Sequence, residues 1–412
     1  MALSRISQLL LQEVGTKAKT AGWIRSVRHH KSFSFLDLDD GSQSVQVIVD
    51  GDQAAHLVTG GSVEVLGTIK QGPKFKEIHC EELQVLGVSD GNYPLAKKAH
   101  TMEHLRSFPQ FRARTKTISA ALKVRSDTSM FIHDFFRARD FYFVHTPIIT
   151  ANDCEGAGEM FELKNSDFFG KHAYLTVSGQ LQAEIFACSM GKVYTFGPAF
   201  RAEKSHTQRH LAEFWMVEPE MINYTLEETI CLAKDLMKFT AQKILEARPE
   251  EIKFLNKTTS HLEKLIAQEW ANISFQEAKK LTGGETSEPL STEEERHLTS
   301  HYSSPVFVRE FPASVTPFYM KKQGSTTKNF DLLLPEVGEV VGGSQREDSL
   351  EVLQKSMEGL HGLEWYEDLR RYGSMPHSGF GLGLERWLLF ITGLSNVRDV
   401  VPVPRWHKNL LC

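Results

Sequence analysis

The stretch Gly379-Phe-Gly-Leu-Gly-Leu-Glu-Arg386 alternates glycine with apolar residues and ends on an acid and an arginine. The alternation predicts a β-strand, because successive strand residues point to opposite faces. Glycines weaken a strand interior, so they usually mark close approach by a ligand or another chain. Arg386 then supplies planar donors that suit phosphate oxygens. Two readings stay open. The strand could form the surface on which a nucleotide lies, with Arg386 binding its phosphates, or the glycines could pack under a helix, with Arg386 in a surface ion pair.

A second stretch, Phe200 to Glu218, predicts a strand, a polar loop and a returning aromatic strand. The first strand is expected to end in Arg201-Ala202-Glu203, which would put Arg201 and Glu203 on one face. Phe214 and Glu218 share a face of the returning strand for the same reason. A cation for an α-phosphate, an acceptor for an adenine amine and a ring for the base could then share one surface. By itself, an Arg-x-Glu pair is more often a cross-strand ion pair.

Residues 17 to 88 read as five short alternating strands separated by turn signals. The predicted strands are Thr20–Val27, Phe33–Asp39, Val45–Val49, Ser62–Ile69 and Glu77–Val88. Five strands in about 70 residues fit a small barrel of the oligonucleotide-binding (OB) type. Phe33 and Phe35 fall on one face of the second strand. Exposed aromatics on such a barrel stack unpaired bases, whereas buried ones fill its core, and the pattern alone leaves both open.

The rest of the chain predicts a larger α+β domain with mostly antiparallel strands flanked by helices. Residues 91 to 110 read as a hinge, and a helical period runs from Thr117 to Phe143. Residues 226 to 281 are helical in pattern, whereas residues 283 to 295 read as a loop. Further predicted elements are strands at Val306–Glu310, Phe318–Lys321, Asn329–Leu334 and Gly338–Val341, and a helix from Ser349. No glycine-rich loop joins a strand to a helix as a P-loop or dinucleotide site requires.

Composition and cysteine usage favour a reduced, cytoplasmic protein. The 412 residues exceed one ordinary domain, and 41% hydrophobic with 24% charged residues is usual for soluble chains. No apolar run approaches a membrane span, and residues 1 to 15 lack the features of a signal peptide. The five cysteines contain no CxxC pair, which predicts free thiols and no zinc site. An organellar presequence is disfavoured because the first strand is expected near Thr20; a mitochondrial or plastid location stays open for a eukaryotic source.

Charge is distributed unevenly along the chain. The formal net charge is -5, yet residues 1 to 36 hold six Lys or Arg and one acid, so 6 minus 1 leaves five positive charges there. A local basic face suffices for phosphate contacts. A solvated surface of a small domain explains the same charges equally well.

These stretches, together with the helix-strand segment Phe131 to Thr150, resemble the three signature motifs of class II aminoacyl-tRNA synthetases. The resemblance is strongest to asparaginyl-tRNA synthetases of the bacterial and organellar type, and it covers nearly the whole chain. Other matching segments are Glu155-Gly-Ala-Gly-Glu-Met-Phe161, Leu175-Thr-Val-Ser-Gly-Gln-Leu181, Tyr194-Thr-Phe-Gly-Pro198, Arg209-His-Leu-Ala-Glu-Phe214, Gly342-Gly-Ser-Gln-Arg-Glu347, Asp368-Leu-Arg-Arg-Tyr-Gly373 and Pro376-His-Ser-Gly-Phe-Gly381. The family implies an OB-type anticodon-binding domain at 1–90, a hinge at 91–110 and a class II catalytic domain at 111–412, with a helical insertion at about 225–300.

The resemblance implies ATP-dependent ligation of L-asparagine to tRNA(Asn) through an asparaginyl-adenylate, with release of AMP and pyrophosphate. Such chemistry relies on positioning and charge neutralisation, which fits conspicuous arginines, acids and glycines. Arg201 and Arg386 are the implied catalytic residues. The implied ATP-binding residues are Arg201, Glu203, His210, Leu211, Phe214, Glu339, Gly383 and Arg386. The implied magnesium ligands are Asp331 and Glu339, which with phosphates and waters would suffice for that ion.

The resemblance also implies an amino-acid pocket and an anticodon site. The implied asparagine-binding residues are Glu155, Ser178, Gln180, Glu218 and Arg346, and the implied anticodon-binding residues are Arg28, Phe35 and Gln46. Aspartyl enzymes carry a lysine three residues beyond the pocket glutamine, where this chain has Ala183. Without that cation, and with Glu218 able to accept from an amide NH2, a neutral carboxamide should fit better than aspartate.

The segment Phe131 to Thr150 is rich in aromatic residues and resembles the motif that forms the dimer interface in this class, so a homodimer is expected. Two other functional readings stay open. One is an aspartyl or relaxed-specificity ligase, or an asparagine synthetase on the same core, although free ammonia needs no anticodon reader. The other is a non-enzymatic tRNA-binding or regulatory relative.

Overall fold

A computed structural model of the chain describes residues 1–95, 100–152, 154, 160–164 and 166–412. The chain forms two compact units, Met1–Ser119 and Ala120–Cys412. All five cysteines are free thiols. Among the described residues, no helix is both long and apolar enough to cross a membrane.

The first unit contains a closed five-stranded barrel with strand order β1-β2-β3-β5-β4. Its strands are β1 (Lys17–His29), β2 (Phe33–Asp39), β3 (Ser44–Asp50), β4 (Ser62–Gln71) and β5 (Lys76–Gly87); its short helices are α1 (Ile6–Leu9), α2 (Gly51–Ala54), α3 (Met102–Arg106) and α4 (Pro109–Arg112). Alternate apolar residues such as Leu36, Leu38 and Val47 point inward and form the core. The predicted OB-type barrel is therefore confirmed, and its strands begin and end within a few residues of the predicted bounds.

The second unit is built on an eight-stranded sheet with the order β11-β12-β15-β16-β17-β10-β9-β6. The strands of this unit are β6 (Tyr142–Phe143), β7 (Ile149–Thr150), β8 (Tyr174–Leu175), β9 (Lys192–Phe200), β10 (Glu213–Ile222), β11 (Ala271–Ser274), β12 (Val306–Arg309), β13 (Lys322–Gln323), β14 (Thr326–Thr327), β15 (Asn329–Leu334), β16 (Gly338–Gln345) and β17 (His377–Gly383). Of these, β7 pairs with β8 and β13 pairs with β14 in two separate two-stranded sheets. Within the eight-stranded sheet β11 runs parallel to β12 and β6 runs parallel to β9, whereas the other neighbours are antiparallel. The predicted α+β class is confirmed.

Helices cover this sheet and supply much of its core. They are α5 (Lys116–Arg137), α6 (Gln180–Met190), α7 (Leu226–Ala247), α8 (Pro249–Asn256), α9 (Ser260–Ala267), α10 (Phe275–Thr282), α11 (Thr292–Tyr302), α12 (Leu350–Ser356), α13 (Glu364–Arg371) and α14 (Leu384–Thr392). The largest apolar cluster joins Phe135 and Phe136 of α5, Met237 of α7 and Trp387 of α14, all fully buried. The helices and the sheet therefore share one apolar core.

Several predicted elements are wrong in detail. The helix expected to reach Phe143 ends at Arg137, since Asp140 takes a left-handed turn (φ 61°) before β6. Residues 318–321 form only an isolated bridge at Met320, not a strand. The loop expected at 283–295 already contains the start of α11, because Ser291 and Glu294 form a reciprocal capping box at its first turn.

The glycine stretch forms β17, but the strand ends at Gly383, so Arg386 lies in the first turn of α14 instead of at a strand terminus. A Cβ on Gly379 would lie 2.3 Å from the Pro219 carbonyl oxygen, and one on Gly381 would lie 2.8 Å from the Met216 Cε. Gly379 is therefore required by packing against the backbone of β10, not by a helix, whereas the atom beside Gly381 is the end of a flexible side chain that can move. Gly383 differs, because its nearest neighbour would be 4.0 Å away on Arg386.

We expect Gly379→Ala to lower the free energy of unfolding by about 3 kcal/mol or more, because a backbone carbonyl cannot move out of the way. Gly383→Ala should cost no more than about 1 kcal/mol, since it only exchanges a helix N-cap residue at an ordinary φ. Denaturant unfolding of the two variants measures the difference. Equal losses of unfolding free energy would contradict the assignment of Gly379 to close packing against β10 and of Gly383 to the N-cap of α14.

Candidate active site

The loop between β9 and β10 carries four of the eight predicted nucleotide-binding residues. Strand β9 ends at Phe200, so the expected shared strand face of Arg201 and Glu203 is wrong. The loop nevertheless remains tied to the sheet, because the Arg201 N–H donates to the Ala212 carbonyl (3.1 Å). The Arg201 guanidinium lies 5.3 Å from the centre of the Phe214 ring on β10. An aromatic face and a cation therefore meet at one point, as the sequence predicted for these two residues.

His210 occupies the same loop and lies among positive charges. Its Nε2 lies 3.4 Å from Glu203 Oε2. Burial lowers the pKa of His210; Glu203 opposes this effect, while Arg386 and Arg201 add to it. Leu211, which follows it, is buried in the core. The loop thus presents several cations around a half-buried histidine, an environment suited to an anion.

A group of acids lies on the other side of Arg386. The Arg386 Nη1 donates to the Glu339 carbonyl (2.8 Å) and to its Oε2 (3.0 Å). A Cβ on Gly342 would lie 3.4 Å from both Asp331 Oδ1 and Glu339 Oε1, so these two carboxylates converge on one glycine. Burial raises the pKa of Asp331 well above its usual value, and the charges of Glu339 and Glu295 add to the rise. Such converging carboxylates would be stabilised by a bound cation.

A buried polar pocket lies at the N-terminus of α6. Ser178 donates its hydroxyl hydrogen to Glu218 Oε1, and the Gly179 N–H donates to Glu218 Oε2 (2.9 Å). The Gln180 N–H donates to the Ser178 Oγ (3.1 Å). Burial raises the pKa of Glu218, whereas these hydrogen bonds lower it. A carboxylate has about four lone-pair sites, so Glu218 can still accept from a ligand.

Arg346 is a buried cation whose charge also acts on Glu218. Its Nε donates to Glu220 Oε2 (3.2 Å), its Nη2 donates to Glu220 Oε1, and its Nη1 donates to the Ser344 Oγ (2.7 Å). The guanidinium also lies 5.3 Å from the Tyr319 ring centre. Glu155, the remaining predicted pocket residue, lies outside the described residues.

Sequence reasoning missed the acids that hold the pocket together. Glu220 shares the face of Glu218 on β10, so the two-residue period could have revealed it. Glu184 gave no such signal, because its partners come from α13 and β17. Only the tertiary structure brings these groups together.

A separate candidate surface lies on the barrel. Arg28, opposite Phe35 on the neighbouring strand, places its guanidinium 5.4 Å from the Phe35 ring centre, and its Nη2 lies 3.4 Å from Gln46 Oε1. Phe35 also contacts the Phe33 ring edge-on at 5.1 Å. Both phenylalanines are half-buried and stand outside the core that Leu36 fills. The structure therefore places them on the outer face of the barrel.

Comparison with known proteins agrees with this geometry. The family "tRNA synthetases class II (D, K and N)" matches residues 102–407, and "OB-fold nucleic acid binding domain" matches residues 18–86. The fold and site therefore define a class II tRNA synthetase.

Individual relatives are more specific. An asparagine–tRNA ligase of Desulfotalea psychrophila is 43% identical over 97% of this chain and 98% of its own length. A probable mitochondrial asparagine–tRNA ligase of Dictyostelium discoideum is 41% identical over 96% and 94%. Asparaginyl-tRNA synthetase from Pyrococcus horikoshii, solved with asparaginyl-adenylate, superposes with a TM-score of 0.94 at 32% identity, covering 100% of this chain and 99% of that chain. The chain belongs to the asparagine–tRNA ligase family.

Proposed function

We propose that the protein activates L-asparagine with ATP as asparaginyl-adenylate and transfers the asparaginyl group to tRNA(Asn). The observation that carries the proposal is the junction of two sites along β10: the Arg201–Phe214 contact at one end and the buried Ser178–Glu218 pocket further along the strand. This is the geometry needed to hold a nucleotide and a small amino acid in contact. Family membership supports the same reaction.

The proposed chemistry needs no protein nucleophile. An asparagine carboxylate oxygen attacks the α-phosphorus of ATP, and the bond to pyrophosphate breaks. A tRNA ribose hydroxyl then attacks the activated carbonyl, and AMP leaves. Arg201 would neutralise the α-phosphate, Phe214 would stack the adenine ring and Glu203 would accept from its amine.

The remaining nucleotide contacts follow from position. His210 lies in the β9–β10 loop, and Arg386 lies beside the acid Glu339. Both would bind the outer phosphates. Leu211 anchors the β9–β10 loop, because its side chain is buried in the core. Gly383, at the end of β17, leaves open space in which a nucleotide could lie.

We propose magnesium as the accompanying cation, held by Asp331 and Glu339. Their converging oxygens are the hard donors that this ion prefers, and phosphates and waters would complete its coordination. Among the described residues no group of three or more His, Cys, Asp or Glu side chains is placed to hold a metal ion. When bound, the ion would neutralise charge on the phosphates.

The pocket favours asparagine over aspartate. Ala183 is fully buried and offers no cation, and Glu218 supplies acceptor oxygens for an amide NH2. A substrate carboxylate would meet the charge of Glu218 instead. The aspartyl-ligase reading is thereby disfavoured on charge.

The barrel would bind the tRNA anticodon through Phe35, Arg28 and Gln46, because the Phe35 ring stands on the outer face beside the Arg28 guanidinium. The proposed division of labour is an anticodon-binding part at 1–90, a hinge at 91–110 and a catalytic part at 111–412. A cytoplasmic location remains a prediction that rests on the free thiols.

A homodimer is the proposed assembly. Phe141 and other aromatics of the segment Phe131 to Thr150 are buried within the fold, but Tyr142, Phe143, Ile148 and Ile149 remain exposed. Strand β6 lies at the edge of the sheet, beside a cavity of about 600 Å³ that includes Phe143 in its lining. An exposed apolar edge of this kind is typical of a surface that a second copy covers.

The decisive test is ATP–pyrophosphate exchange with each amino acid in turn. We expect exchange that depends on asparagine and magnesium, with little support from aspartate. Comparable exchange with both amino acids would contradict the specificity, and no exchange with any amino acid would contradict the reaction itself.

We expect Arg201→Ala and Arg386→Ala to lose exchange activity without unfolding, since a charge-assisted phosphate contact is worth about 1.5–3 kcal/mol or more. Arg201→Ala should be the costlier change, because charge develops at the α-phosphorus in the transition state. Arg296→Ala, at an exposed position on α11, is the matched control and should keep normal exchange. Near-normal exchange by a folded Arg201 or Arg386 variant would refute that residue's role.

We expect Phe35→Ala to weaken tRNA binding by roughly 1–3 kcal/mol, because one stacking platform is lost. Charging should fall through a raised KM for tRNA, while pyrophosphate exchange stays unchanged. Leu36→Ala is the matched control: it opens a cavity in the barrel core and should lower the melting temperature. If Phe35→Ala lowers the melting temperature as much as Leu36→Ala, Phe35 is structural.

A further inference from the structure

Glu184, in the second turn of α6, is a fully buried carboxylate to which the proposed reaction gives no role. Its Oε2 accepts from Arg370 Nη2 (3.0 Å), His377 Nε2 (2.7 Å) and the Tyr366 hydroxyl (2.7 Å). Its Oε1 accepts from Gln180 Nε2 (3.2 Å). Glu184 therefore connects α13 and β17 to a residue of the amino-acid pocket.

The contacts keep Glu184 ionised. Burial alone would raise its pKa, but the charge of Arg370, the hydrogen bond and charge of His377 and the charge of Arg346 hold it well below the usual value. An ionised carboxylate in the interior is tolerated only when several donors surround it. The position is thus a fixed negative charge behind the pocket.

This charge reaches Arg346, the buried cation whose charge acts on Glu218. Glu184 Oε1 lies 4.0 Å from Arg346 Nε, and Glu220 binds the same guanidinium. Formally, the two glutamates balance Arg346 and Arg370. A substrate carboxylate would therefore find no uncompensated cation at Arg346, and the neighbouring Ala183 supplies none either.

We propose that Glu184 is a positioning residue that makes the pocket select a neutral carboxamide over a carboxylate. It acts by orienting the Gln180 amide and by offsetting the charge of Arg346. The inference rests on the proposed function of this pocket, and adds to it a selectivity device outside the residues that would touch the substrate.

The test compares Glu184→Gln with Glu184→Asp in pyrophosphate exchange driven by asparagine or aspartate. Glu184→Gln removes one negative charge at nearly constant shape, so we expect the ratio of kcat/KM for aspartate to that for asparagine to rise at least about tenfold. Glu184→Asp keeps the charge but shortens the reach, so the KM for asparagine should rise while the ratio stays within about threefold. The KM for ATP should be unchanged in both variants.

Glu294→Gln is the matched control. Glu294 forms an ion pair with the buried Lys279 (2.9 Å) between α10 and α11, so its loss should lower the melting temperature and leave the aspartate-to-asparagine ratio unchanged. A folded Glu184→Gln protein with an unchanged ratio, or with equal loss for both amino acids, would overturn the proposal and leave Glu184 as a structural residue.

Arg370→Gln provides an independent variant if Glu184→Gln does not fold. Arg370 supplies the largest opposing charge that keeps Glu184 ionised, so removing it favours the neutral form of Glu184, and the Ki of aspartate as an inhibitor of asparagine-dependent exchange should fall at least about tenfold. An unchanged or higher Ki would overturn the proposal. Wild-type exchange with asparagine tests the proposed function separately, because it requires no variant.

Discussion

The close approach of β17 to β10 is the constraint on which the site depends. Gly379 lies against the backbone of Pro219, and the register pairs Gly379 with Glu220 and Gly383 with Met216. Any side chain at Gly379 would push the strands apart. Because β10 carries both the Phe214 ring and the acids Glu218 and Glu220, the strand itself sets the distance between the two halves of the site, and the close packing of β17 holds that strand in place.

A second consequence is the burial of charge beside that contact. Glu184, Glu220, Arg346 and Arg370 are all nearly inaccessible to solvent. Such groups cost more to bury than apolar side chains, and they persist when each is surrounded by partners of opposite charge. The cost is reasonable in a pocket that we propose to recognise a polar side chain, because rigid, fully paired donors and acceptors discriminate better than mobile ones.

The barrel surface that we propose to bind the anticodon is built in a simpler way. Strand β2 alternates strictly, so its inward residues Leu36 and Leu38 fill the core, and Phe33 and Phe35 are left on the outer face beside Arg28. Rings on a curved, basic surface stack bases without reading a fixed shape. The aromatic surface therefore requires no buried charge, in contrast to the amino-acid pocket.

The sequence by itself determined the five barrel strands, the α+β class and the convergence of Arg201 with Phe214, because strand periodicity, turn residues and motif order are local properties of the chain. It could not place Arg386 in a helix, since the alternation of glycines runs to Gly383, the last residue of the strand, and carries no signal that a helix begins at Leu384. It also could not reveal that Glu184 meets Arg370 and His377, which are nearly two hundred residues away. Only the tertiary structure decided these contacts, because the partners of a buried charge are chosen by which elements pack together, and local sequence does not encode that choice.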